Sequence, residues 1–567
     1  MLQTEDAPTG LAKYVPIVGW LPRYQPAWLR FDLVAGLTAA AVVIPQAMAY
    51  AAIAGLPVQV GLYTALVPML IYVLLGTSRP LSVSSTSTIS MLTATELARV
   101  AQGGDPADYL VAASTLALLV GIFLLLAGLL RLGFLANFIS LPVLTGFKAG
   151  IGLVILVGQL GKVLGIPVEK GPVLQTLLQI VGSLDQIHWP TTVLALVTLA
   201  ILILLPRLTR RLPASLIAVA FGILVSALLN LDAQGVKLVG EIPAGLPSFT
   251  LPDLSLVSAL WPGALGIALM SFVESIASAR AFAKHDDPPV DADQELRALG
   301  AANIGGGFFQ AYPAGGGTSQ TAVNDQAGAR SQLAEAVTAG VVAVTLLFLA
   351  PLIGLMPEAT LGALVLVAAA GLIKVGEFRA IGRIRRHELV WAIITFAGVV
   401  ILGTLEGILV AVVASMLDII YQANHPPLYV MGRKPGTDVF RPLQDHPDDE
   451  TFPGLLLVRT EGRIYFGNVP RVQEKALALI RREQPRVIVL DCSAIPDIEY
   501  TALKKFAEIE ERLRESGIML WLAALNPEPL RTIQQSSLGE TLGRERMFFT
   551  LEQAVEAYVA GTKDEGR

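Results

Sequence analysis

Residues 312–330 read YPAGGGTSQTAVNDQAGAR, a polar stretch set in an otherwise apolar chain. Glycines are followed there by hydroxyl and carboxamide side chains, where a membrane-spanning helix would carry aliphatic ones. A Gly-rich break that opens a polar helix presents unpaired N–H groups and the positive end of the helix dipole, which together attract an anion. Within a bilayer, such irregular backbone persists only where it lines a sheltered cavity. The stretch reads as a half-helix forming one jaw of a transport site.

The surrounding composition demands a membrane. The chain has 567 residues, 53% hydrophobic and 15% charged, with a mean hydropathy of +0.62, too apolar for a soluble protein of this size. A net charge of −5 without a basic run excludes a nucleic-acid partner. Cys492 is the single cysteine, so no internal disulfide forms. Met1–Trp28 has no apolar run of leader type; it reads as a soluble arm with Trp20 and Trp28 near the membrane interface.

A second polar break lies upstream. Between Leu33 and Thr95 the only charged residue is Arg79, and two spans fit before LSVSSTSTISMLTATEL (81–97). Ser82, Ser84, Ser85, Thr86, Ser87 and Thr88 crowd the start of that segment, which is too short to cross alone. Two interrupted segments in corresponding halves point to a midplane transport site, whereas one alone would suit close packing through small residues. Pro45 interrupts the first span, followed by Gln46 and Tyr50; Gln46 is either satisfied by a neighbouring helix or faces the pathway.

Two charges fall inside apolar helices. Lys148, in ISLPVLTGFKAGIGLVILVGQ, lies about 16 Å along a helix drawn from Asn137, so it either snorkels or meets an anion. Glu274, in GIALMSFVESIASARAFA, carries a desolvation penalty when ionised that favours taking up a proton. It reads as a coupling carboxylate, with a static ion pair as the other reading. Arg207, Arg210 and Arg211, then Arg280 and Lys284, then Lys374, Arg379, Arg383, Arg385 and Arg386 form basic loops on one side, assigned to the cytoplasm. Counting spans this way gives about fourteen segments, with both termini inside.

The predicted domains are an N-terminal arm (1–30), a transmembrane domain (31–423), a linker (424–453), a soluble domain (454–560) and a tail (561–567). In the soluble part, GLLLVRTEGRIYFGN reads as two strands meeting at Glu461–Gly462, followed by VQEKALALIRRE, VIVLDCS, YTALKKFAEIEERLRESG and IMLWLAAL as alternating helices and strands. It has no nucleophile motif, zinc cluster or phosphate loop, and so reads as a regulatory or assembly domain.

PQAMAYAAIAGLPVQVGLY (45–63), SVSSTSTIS, ISLPVLTGF (139–147), GGGTSQTAVNDQAGAR and VIVLDCSAIPDIEYTAL (487–503) resemble the sulfate permease (SulP) family of anion transporters, which includes prestin and pendrin. The resemblance implies two inverted seven-segment repeats in a uracil-permease-like fold, with core and gate subdomains and a cytoplasmic STAS domain. It also implies a homodimer in the inner (plasma) membrane and an elevator-like movement. On that pattern Gln46, Tyr50, Thr86, Ser87, Gly317, Thr318, Ser319 and Gln320 line the anion site, and Glu274 with Ser278 couples H⁺ or Na⁺, the only cofactors expected. Many members carry arginine at the position of Gln320; with a neutral residue here, Lys148 is the expected replacement cation. Tyr500–Thr501 stands where related domains present a phosphorylatable serine. The expected function is secondary transport of a small anion, sulfate by family, coupled to protons or exchanging. The alternatives are sodium-coupled bicarbonate uptake with Ser275 and Ser278 beside Glu274, proton-coupled dicarboxylate transport, a passive channel, or a STAS-based sensor; the STAS domain has scope for a cytoplasmic partner.

Overall fold

The computed structural model describes residues 12, 14–100, 106–137, 140–168, 172–209, 213–240, 242–284, 287 and 289–565. Residues 1–11 of the expected arm, and Arg210 and Arg211 of the expected basic turn, lie outside them. The chain forms two compact units, one ending at Met416 and the other beginning at Leu417.

In the first unit one order of elements occurs twice. α1 (Leu29–Ala54) and α2 (Val58–Leu75) lead to a two-residue strand, β1 (Val83–Ser84), and the short α3 (Ser87–Val100). Then come α4 (Pro106–Leu129), α5 (Leu141–Leu164), the ten-residue α6 (Val173–Gly182), α7 (Trp189–Leu208) and α8 (Ala214–Leu229). The order returns as α9 (Val257–Ala281), α10 (Ala292–Phe308), β2 (Gly315–Gly316), α11 (Thr318–Gln326) and α12 (Leu333–Val344, continued by a π-turn and Ala350–Gly354). It closes with α13 (Glu358–Leu372), the ten-residue α14 (Val375–Ile384), α15 (Arg386–Leu402) and α16 (Thr404–Ala423). Among the described residues eight helices are long and apolar enough to cross a membrane. The remaining positions of the expected fourteen fall to α3, α8, α10, α11, α15 and α16.

Packing sorts these helices into two bundles. α1–α4 pack with α9–α12, while α5, α7, α8, α13 and α15 pack with one another. In the first bundle α4 and α10 approach through glycines: a Cβ on Gly121 would stand 2.7 Å from the Gly300 carbonyl oxygen, so only a bare backbone fits. Between the bundles, α1 packs against α8 and α13, and α3 against α5.

Two expectations about this unit are corrected. Pro45 does not interrupt the first span, because α1 runs through it; membrane helices absorb a proline when packed neighbours re-satisfy the backbone. Lys148 is less deep than expected, because α5 begins at Leu141 and places it only about 11 Å along the helix.

The second unit is a six-stranded sheet of order β4-β3-β5-β6-β7-β8. Its elements are β3 (Leu428–Arg433), β4 (Phe440–Pro442), β5 (Leu455–Thr460), α17 (Val469–Glu483), β6 (Val487–Asp491), α18 (Tyr500–Glu515), β7 (Met519–Ala523), α19 (Pro527–Gln534), α20 (Ser537–Leu542), β8 (Met547–Phe548) and α21 (Leu551–Glu565). β5 to β8 run parallel, with β3 antiparallel to both its neighbours. Alternation along the strands serves both faces: Leu456, Val458, Ile488 and Leu490 pack with residues of α17 and α18, and Leu455, Leu457, Val487 and Val489 with residues of α21.

Two readings fail in this unit. The segment expected as a linker (424–453) contributes β3 and β4 to the sheet, its prolines marking the ends of a hairpin rather than a tether. GLLLVRTEGRIYFGN holds one strand, not two: beyond Gly462 the chain makes only a single bridge, Ile464 to Ile498, before α17.

Candidate functional site

The two polar breaks meet each other. Val83 pairs with Gly316 and Ser84 with Gly315 in an antiparallel ladder, and the Gly317 N–H donates to the Ser82 carbonyl at 3.0 Å. Side chains of the flanking helices tie down this junction. Ser271 donates to the Ala314 carbonyl at 2.8 Å, Asn303 donates to that carbonyl at 3.1 Å and accepts from the Ala314 N–H at 2.8 Å, and the Gly316 N–H donates to Ser275 Oγ at 2.6 Å. A Cβ on Gly316 would lie 2.9 Å from Ser275 Cα, so the glycine is what lets β2 sit against α9.

From this junction α3 and α11 both begin at a cavity of about 460 Å³. The first bundle supplies one wall: Gln46 and Tyr50 from α1, residues 85–88, Glu274, and residues 317–320. The second bundle faces it with Thr145, Lys148, Lys374 and Glu377. The first-turn N–H groups of each half-helix have no partner four residues back, so both starts are electropositive.

Glu274 occupies the start of α3. The hydroxyls of Thr86 and Thr88 donate to its two carboxylate oxygens at 3.1 and 3.0 Å, and Lys148 Nζ approaches to 3.5 Å from the opposite bundle. Thr86 also caps its own helix, accepting from the Ile89 N–H at 3.3 Å. The start of α11 is open by comparison: Thr318 and Ser319 are exposed toward the cavity.

All nine predicted binding residues, with Glu274, line this cavity. Gln46 Oε1 is buried without a partner, and Ser319 is the side-chain partner of the Tyr50 hydroxyl. Gln320 is turned away in part, its Oε1 accepting from Ser84 at 2.6 Å. Ser278 is not part of the lining; its hydroxyl is bonded to that of Thr318 at 2.7 Å. Ser275 is likewise held against Gly316 and the Ser271 carbonyl. Both serines beside Glu274 thus already have protein hydrogen-bond partners.

The sequence reading missed the second wall as a wall. Thr145 donates to Glu377 at 3.1 Å, and Lys374 pairs with Glu377 at 3.0 Å. Thr145 and Lys148, three apart in an apolar helix, share one face and carried the available signal.

The chain matches the model of the sulfate permease family over residues 29–395 and that of the STAS domain over 446–554. A probable sulfate transporter of Mycobacterium tuberculosis is 39% identical over 550 residues, covering 95% of this chain and 98% of the relative. The chloroplastic sulfate transporter 4.1 of Arabidopsis thaliana is 31% identical over 95% of this chain and 82% of its own length. The murine solute carrier 26 family member A9 anion transporter superposes with a TM-score of 0.87 at 24% identity, over 98% of this chain and 96% of that one. The transmembrane domain of a cyanobacterium bicarbonate transporter superposes at 0.60 with 26% identity, over 69% of this chain and 98% of that one. A polytopic helical domain with paired half-helices, a C-terminal STAS domain and relatives aligned along nearly the whole length lead to one conclusion: the chain belongs to the sulfate permease family of anion transporters, and it is not an enzyme.

Proposed function

We propose that the chain is a secondary active transporter of a small oxyanion, held between the open start of α11 and Lys148. The observation that carries this reading is the joined pair of half-helix starts at a cavity with a lysine on its far wall. Sulfate is the favoured substrate, because the relatives that align along the whole chain are named as sulfate transporters. Glu274 couples the movement to protons. An anion beside an ionised Glu274 meets like-charge repulsion, and neutralising the carboxyl relieves it, so anion and proton bind together. Alternating access follows from one bundle sliding against the other, within a homodimer in the plasma membrane whose termini lie in the cytoplasm; the STAS domain serves regulation.

The test is radiolabelled sulfate uptake into proteoliposomes under imposed H⁺ or Na⁺ gradients. Uphill accumulation driven by protons is the expected result. Flux that only equilibrates would identify a channel, and no flux of any anion would identify a sensor. The fold shared with a bicarbonate transporter favours bicarbonate as a second substrate reading, and competition with unlabelled bicarbonate in the same vesicles separates the two.

A further inference from the structure

α14 is set off from its neighbours at both ends. Ile373 and Lys374 before it, at ψ 87° and 78°, and Arg385 after it, at ψ 103°, leave helical geometry, so this ten-residue helix runs on its own axis between two apolar helices of the membrane domain, α13 and α15. A short connection between two such helices lies at a membrane surface. Its sequence, VGEFRAIGRI, is amphipathic: Phe378 and Ile381 are half-buried, while Arg379 and Arg383 stand four apart on one exposed face.

The cations of that face have no partner within the fold. Glu377, the only acid of the helix, is spent toward the cavity, where it accepts from Thr145 and pairs with Lys374. Among the described residues no carboxylate pairs with Arg379, Arg383 or Arg386, and Arg385 reaches Glu388 only at 3.6 Å. The architecture does not demand these arginines: α6, the ten-residue helix at the same place in the first repeat, reads VLQTLLQIVG and carries no charge. Beside them Ile384 is 79% exposed. Unpaired guanidinium groups next to bare aliphatic surface at a membrane boundary match a phosphate headgroup with acyl chains beneath it, whereas an acidic soluble protein would answer the charge alone.

We propose that α14 binds the headgroups of anionic phospholipids through Arg379 and Arg383, with Arg385 and Arg386 widening the cationic surface. Basic clusters on an amphipathic helix at the end of a membrane segment draw anionic lipid, and a guanidinium engages a phosphate with two donors at once. Lys374 and Glu377, at the start of the same helix, line the cavity. A bound lipid and the second wall of the anion site thus share one short element.

The test is the melting midpoint of the purified full-length protein, delipidated in a neutral detergent and titrated with dioctanoyl phosphatidylglycerol or dioctanoyl phosphatidylcholine at one pH and ionic strength. A ligand held by the folded state raises the midpoint with its concentration, so a rise is expected with phosphatidylglycerol and not with phosphatidylcholine. Arg379→Gln combined with Arg383→Gln should move the half-effect concentration up roughly 10-fold or more, and the paired Arg→Lys variant should keep most of the native response. Arg207→Gln, which removes a cation from another basic turn, should leave it unchanged. A native protein that does not discriminate the two lipids overturns the proposal, as does a loss in Arg207→Gln equal to that in Arg383→Gln, which would make the effect one of overall charge. An equal rise with glycerophosphoglycerol, the same headgroup without chains, would also overturn it by making the ligand a soluble phosphodiester. The measurement needs no anion flux, so its failure is distinct from failure of the transport proposal.

Discussion

The two half-helices are built alike and occupied differently. α3 begins at Thr86 and Thr88, whose hydroxyls already hold a carboxylate of the protein, Glu274. α11 begins at Thr318 and Ser319, which open into the cavity, with only the Ser278 hydroxyl behind. One electropositive end thus serves an internal anion, and the other is left for an external one. In the proposed transport cycle, coupling falls to the first repeat's break and substrate capture to the second's.

The largest effect that would break this comparison is at Glu274. Glu274→Gln removes the internal anion and should abolish proton-driven sulfate accumulation while leaving exchange measurable; retained uphill uptake would return both helix starts to the same role. Lys148→Met comes next. A charge-assisted hydrogen bond is worth about 1.5–3 kcal/mol, so the KM for sulfate should rise roughly 10- to 100-fold with the protein still folded. Gln320→Arg in that background should restore much of the loss, since it returns a cation to the start of α11; no rescue would place the role of Lys148 with Glu274 alone. Ser319→Ala removes one neutral hydroxyl, worth about 0.5–1.5 kcal/mol, and should raise KM about 2- to 10-fold, whereas Thr88→Val should alter the pH dependence of uptake more than the KM.

The smallest effect is a control outside the bilayer, where a carboxylate is also held by a cation. Arg441 donates to Asp449 and holds its carboxyl below the ordinary range. The contribution is complete above the unfolded value of about 4 and is lost as pH falls through the lower folded value. Arg441→Gln should flatten the acid dependence of amide protection in β4, measured by hydrogen exchange, without touching transport.

The half-helices were legible because membrane sequence is monotonous, and a run such as SVSSTST or GGGTSQ stands out against it. Glu274 and Lys148 were legible for the same reason. Their contact was not, since they stand 126 positions apart and no periodicity links α5 to α9. Ser275 and Ser278 stood out as small hydroxyls near a carboxylate, but their bonds to Gly316 and Thr318 could not be read from spacing. The hairpin of β3 and β4 was hidden by its prolines and charges, which mark loops in most contexts and strand ends here.

The ladder of Val83–Ser84 with Gly315–Gly316 carries one more implication. It fastens the two helix starts to each other, so whatever moves during a transport cycle moves them as a pair. The anion then meets the same donors whether it arrives from one compartment or the other. Any preference for one direction must arise on the opposite wall, where Lys148 is attached to a different bundle, and a lysine that stays behind would make loading and unloading unequal.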